Sequence, residues 1–91
     1  MPSYKKVVTT EPVQIAAFNP KRIVLGIMNL SSYIVYISNE RVNIQEQGWP
    51  IPGGGGIVFR KKDGDHTEYE FWAVSEGTSD VRVWQDFEEE V

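Results

Sequence analysis

Apolar side chains in this chain recur at every second position over short stretches. They nowhere sustain the i, i+3, i+4 stripe of an amphipathic helix. Runs rich in β-branched and aromatic residues are Lys5–Thr10, Val13–Ala17, Arg22–Met28, Tyr33–Ser38, Arg41–Gln45, Ile57–Lys61, Thr67–Ser75 and Val81–Phe87. Turn-forming chemistry separates them. Glu11-Pro12 and Asn19-Pro20 push the residue before proline away from the helical region and interrupt pairing. Asn29-Leu30-Ser31-Ser32 and Ser38-Asn39-Glu40 offer side chains that bond to nearby backbone. Asp63-Gly64 is the pair favoured in a type I′ hairpin turn, and Glu76–Asp80 reads as a longer hairpin loop joining the last two strands. The pattern predicts an all-β chain of about 7–8 short strands, closed as a small antiparallel β-sandwich or barrel-like fold.

The strand interiors add a second expectation. In Arg22–Met28, Ile23, Leu25 and Ile27 share one face while Val24, Gly26 and Met28 share the other. Tyr33–Ile37 and Phe71–Val74 are also apolar on both faces. A sheet with one wet side would alternate apolar with polar, so the outer faces of these strands need a cover. Another strand layer, the Gly48–Gly56 loop or a neighbouring subunit could supply it, and subunit burial is the expected answer. Within the last pair of strands, Phe71 and Ala73 are expected to face Val81 and Val83.

Composition narrows the class. With 91 residues, 41% hydrophobic and 24% charged, the chain is an ordinary globular sequence with room for one domain, 1–91. The acidic end at 88–91 is expected to fray. Cysteine is absent, which excludes disulfides, thiolate nucleophiles and thiolate metal sites. No secretory leader and no apolar run long enough for a membrane helix are legible, so a cytoplasmic location, or a virion if the protein is viral, is expected. The net charge of −4 is unevenly spread, with +5 over residues 1–62 and −9 over 63–91. That asymmetry either steers head-to-tail association or is mixed away when strands from both parts interleave; mixing is the expected outcome.

Candidate chemistry is sparse. His66, the one histidine, stands beside a turn with no Ser, Cys or Thr nucleophile implied by spacing. Asp63, Asp65, Glu68 and Glu70 are dense in carboxylate but do not follow a calcium-loop pattern. Pro52-Gly53-Gly54-Gly55-Gly56 is followed by Ile57-Val58-Phe59, a strand where a phosphate loop needs a helix. Asn29-Leu30-Ser31 matches the glycosylation sequon and is read as a chance match. Arg60-Lys61-Lys62 is followed at once by Asp63 and Asp65, and the net charge is negative, so nucleic acid is not an expected partner. Neither catalysis nor a cofactor nor a metal is expected. The candidate interaction surface is Trp49, Pro50, Ile51 and Pro52, with Trp72 and Trp84; exposed aromatics of this kind also make a glycan possible.

One ordering of features is familiar. Asn19-Pro20-Lys21-Arg22 opens an apolar strand ending in Asn29-Leu30-Ser31-Ser32. Ile34-Val35-Tyr36-Ile37, a Gly48 to Pro52-Gly53 stretch, Phe71-Trp72-Ala73-Val74-Ser75 and Asp80-Val81-Arg82-Val83 follow. Over residues 19–84 the chain resembles the small all-β virion-associated proteins of tailed phages and other prokaryotic viruses. The Trp49–Pro52 segment and the acidic tail depart from that pattern. The resemblance implies a non-enzymatic structural part, a capsid decoration, head fibre or tail accessory protein, present in many copies. Its partners would be its own copies, as a homo-oligomer, and other virion proteins. A glycan- or receptor-binding β-sandwich module is the alternative expectation.

Overall fold

The alternation becomes strand pairing nearly throughout the computed structural model, which describes residues 3–88. In chain order the strands are β1 (Ser3–Val8), β2 (Val13–Ala16), β3 (Arg22–Asn29), β4 (Val35–Ser38), β5 (Trp49–Ile51), β6 (Gly56–Arg60), β7 (Phe71–Ser75) and β8 (Ser79–Phe87). One helical turn, α1 (Ile44–Gln47), lies between β4 and β5, and a 3-10 turn at Lys61–Asp63 follows β6.

Two sheets form, with strand orders β1-β8-β3-β6 and β2-β7-β4-β5, here called sheets A and B. Every neighbouring pair is antiparallel. Among the described residues, each strand connection passes from one sheet to the other except β4 to β5. That is the winding of an eight-stranded jelly roll, and it decides for a sandwich over a barrel. The loops after β1, β3, β5 and β7 therefore gather at one end, and those after β2, β4 and β6 at the other.

The core lies between the sheets. Val8, Leu25, Ile27, Phe59, Val81 and Val83 from sheet A meet Ile15, Val35, Ile37, Ile51, Phe71 and Ala73 from sheet B. Phe59 and Phe71 have ring centroids 5.0 Å apart across the layer. Phe71, Ala73, Val81 and Val83 all enter the core, but they are not paired across one hairpin as expected. β7 and β8 belong to different sheets, so Glu76–Asp80 is a crossover and not a hairpin loop. Each of the two strands is central in its own sheet.

Three local expectations give way for the same reason, which is that neighbours decide pairing. Arg41–Gln45 is not a strand. The place beside β4 is taken by β5, through Val35↔Ile51 and Ile37↔Trp49, and the segment folds into α1 after Asn43 at φ 55. Trp49-Pro50-Ile51 is correspondingly a strand and not a loop, because on an edge the missing N–H of Pro50 faces away from the ladder. Asp63-Gly64 makes no hairpin turn. Gly64 (φ 88) ends the 3-10 turn, and Thr67–Glu70 loop on to β7 in the other sheet.

Two buried polar side chains tie these layers at opposite ends. Arg22, 3% exposed, donates to the carbonyls of Ala17 (2.6 Å), Thr67 (3.0 Å) and Tyr69 (3.1 Å) and to Gln85 Oε1 (2.8 Å). Its charge is thus spread over neutral acceptors, and burial pulls its pKa below the usual arginine value. At the other end Asn29 is fully buried. Its Nδ2 donates to the carbonyls of Tyr33 (2.6 Å) and Ile51 (2.9 Å), and its Oδ1 accepts from the N–H and hydroxyl of Ser31. The amide nitrogen of the sequon is therefore spent inside the protein. The glycine run lies against the same loop, since a Cβ on Gly53 would meet Ser31 O at 2.6 Å. The close approach that glycine permits is to the chain's own backbone.

Candidate functional site

The six residues of the candidate interaction surface do not converge. Trp49, 46% exposed, stands at the open side of the sandwich, edge-on to Phe59 at 5.4 Å. Pro50 and Pro52 are exposed beside it, whereas Ile51 is a core residue and is no part of a surface. Trp72 lies on the outer face of sheet B, capped by the Arg41 guanidinium 5.6 Å above its ring. Its Nε1 is buried without a hydrogen-bond partner, a local cost accepted for that packing. Trp84 lies on the outer face of sheet A, flat over Gly26. A Cβ there would come within 2.1 Å of its ring. The tryptophans occupy three separate places.

His66 sits in the exposed turn before β7. Its Nδ1 is 2.9 Å from Glu68 Oε1, and its ring stacks on Tyr69 with centroids 4.6 Å apart. The contact with His66 holds the Glu68 carboxyl below its usual pKa. Asp65 turns back to accept the Arg60 backbone N–H at 2.8 Å. Asp63, Asp65, Glu68 and Glu70 thus serve separate local contacts or face solvent. Among the described residues no group of three or more His, Asp or Glu side chains is placed to hold a metal ion. No helix among them is long and apolar enough to cross a membrane.

Charge does interleave. β8, from the acidic part of the chain, lies between β1 and β3 from the basic part. Lys5 pairs with Asp80 at 3.5 Å and Lys61 with Glu88 at 2.9 Å. Glu88, counted in the fraying end, is held by this pair and by its N–H to Lys21 O; the rest of that end, 89–91, lies outside the described residues.

Two concavities stand out among the described residues. A cleft of about 160 Å³ is walled by Trp49, Phe59 and Phe71 and rimmed by Asn39, Asp65 and His66. It is comparable to the roughly 150 Å³ cavity that holds one benzene-sized ring. A half-exposed indole beside an amide, a carboxylate and an imidazole has the chemistry to stack on and hydrogen-bond one sugar ring. The second is a groove of about 460 Å³ on the outer face of sheet A, lined by Ile23, Val24, Arg60, Lys61, Lys62 and Glu88. A β-bulge between Arg22 and Val24 shapes its base. Lys61, in the 3-10 turn after β6, and Glu88, just past β8, lie on either side of the start of β3, so their ion pair bridges that end of the strand. Each shifts the other, Lys61 upward and Glu88 downward in pKa, chiefly through their hydrogen bond. Sequence reading cancelled Arg60-Lys61-Lys62 against Asp63 and Asp65. The legible signal was three consecutive cations at a strand end; which side those acids face was not legible.

The chain matches no protein-family model, no curated protein and no solved structure.

Proposed function

We propose that this protein is a non-enzymatic structural component of a virus particle, working through contacts with its own copies and with other virion proteins. The observation that carries the reading is the unequal treatment of the two outer faces. Sheet B is covered by its own chain, whereas the outer face of sheet A presents Val7 and Met28, with Leu30 just past β3, each 42–48% exposed, beside the half-buried Val24, Val58 and Trp84. Apolar side chains grouped on one sheet face gain from a protein neighbour, at roughly 25 cal/mol per Å² before association costs. Jelly rolls build viral capsids as well as lectins, an analogy at the level of fold only. The chain-order resemblance over residues 19–84 points the same way.

Sedimentation at about micromolar concentration and moderate salt tests self-association. It should give a species larger than the 10.4 kDa monomer, shifted toward monomer by Met28→Ser with Leu30→Ser. Mass spectrometry of density-banded virus particles from the source culture tests the location. A clean monomer that is also missing from particles defeats the proposal. The Trp49 cleft favours the second reading, a glycan-binding module. A glycan array with the protein and its Trp49→Ala variant separates the two, since only this reading expects a signal that the variant loses.

A further inference from the structure

The groove on sheet A combines features that a sheet face alone would not require. Val24 points outward from β3, in register with Arg60 of β6 on one side and Asp86 of β8 on the other. Ile23 and Val24 give it an apolar base, and Arg60, Lys61 and Lys62 stand along one wall. Lys61 is engaged by Glu88. Among the described residues neither the Arg60 guanidinium nor the Lys62 ammonium has an ion-pair partner, the Asp65 carboxylate being bonded to the Arg60 backbone N–H. Glu88 therefore shows what the wall takes, a carboxylate, while two of its three cations remain available. Beside the groove, β6 is an edge strand. It pairs with β3, and at the groove end of its other side the Arg60 backbone N–H and carbonyl are already bonded to Asp65.

We propose that this groove seats an acidic extended segment of a partner protein. One apolar side chain of that segment rests on Ile23 and Val24, and its carboxylates meet Arg60 and Lys62. Charge complementarity selects the occupant: an apolar base alone would take any hydrophobic surface, but the cationic wall rejects basic segments. The open form of the groove suits an extended segment laid along it better than an enclosed small molecule. The inference rests on the reading that the protein works through protein contacts.

Titration of the full ¹⁵N-labelled chain with the capped peptide Glu-Glu-Leu-Glu-Glu tests it, with Lys-Lys-Leu-Lys-Lys and Glu-Glu-Ser-Glu-Glu as controls. Amide shifts should concentrate at residues 22–24 and 56–62. Affinity should fall about tenfold or more in Arg60→Glu with Lys62→Glu, and fall with added salt as exposed charges are screened. The Lys peptide should not bind, and the Ser peptide should bind more weakly. Thermal melts confirm that the variants, changed at exposed positions, stay folded. Absence of shifts at about millimolar peptide, equal binding of the Lys or Ser peptide, or shifts centred elsewhere would each overturn the proposal. Any of these together with intact sedimentation and particle results removes the groove alone. Loss of those results as well removes the assembly reading itself.

Discussion

The outer faces of sheets A and B begin from the same problem and reach different solutions. Both carry apolar residues that a wet sheet face does not need. On sheet B the chain covers itself. α1 packs on β4 and β7, Ile44 is 3% exposed, Val74 is 7% exposed although it lies outside the main core, and Arg41 sits over Trp72. On sheet A the strands supply only one broad side chain, Trp84, laid across Gly26. Met28 and Leu30 remain half exposed. The difference follows from where the connections run. The stretch between β4 and β5, residues 39–48, joins two strands of sheet B and packs α1 on that sheet, while the equally long stretch between β6 and β7, residues 61–70, crosses from sheet A to sheet B. An apolar second face is thus a weak sign of a partner until the chain's own long connections are placed.

The core common to both sheets sets the scale. Phe71→Ala should cost about 3–5 kcal/mol in a denaturant titration, because its ring is 2% exposed and packs on Phe59. A loss under about 1 kcal/mol would mean that the sheets do not share this contact. The comparison itself is sharpest in a matched pair. Ile44→Ala should cost about 2–3 kcal/mol, a cavity under a cover, whereas Met28→Ala should change stability by less than about 0.5 kcal/mol in the monomer. Equal effects would erase the distinction between a covered and an open face.

On the open face, Gly26→Ala should cost about 1–3 kcal/mol by displacing the Trp84 ring, and the indole emission should shift red as it becomes wetter. Unchanged emission would place Trp84 elsewhere. A modest effect is expected at the tie between the sheets, where the Tyr4 hydroxyl of β1 donates to Ile15 O of β2. Burial raises the Tyr4 pKa above its ordinary value, partly offset by Arg22. The unfolded chain then releases this proton first, so the contribution is intact below about pH 10 and is lost as pH rises through the folded pKa. Tyr4→Phe should cost about 1 kcal/mol at neutral pH and flatten that alkaline decline. An identical decline in the variant would assign it to other groups.

Much of this molecule was legible in the chain. Alternation and turn residues were enough for the all-β class and for most strands, because a side chain's choice between core and solvent repeats every two residues in any sheet. The interleaving of charge followed from the way antiparallel sheets mix the two parts of a chain. Pairing was beyond reach. Whether Arg41–Gln45 or Trp49–Ile51 lies beside β4, and whether β7 and β8 pair or face one another, depends on competition between distant segments for the same edge. The groove belongs to the same class. Ile23, Arg60, Lys62 and Glu88 are scattered along the chain, and the bulge and register that gather them exist only once β6, β3 and β8 lie side by side. Local preference determined the elements; the surfaces that a partner could use were decided by long-range pairing, which no local pattern encodes.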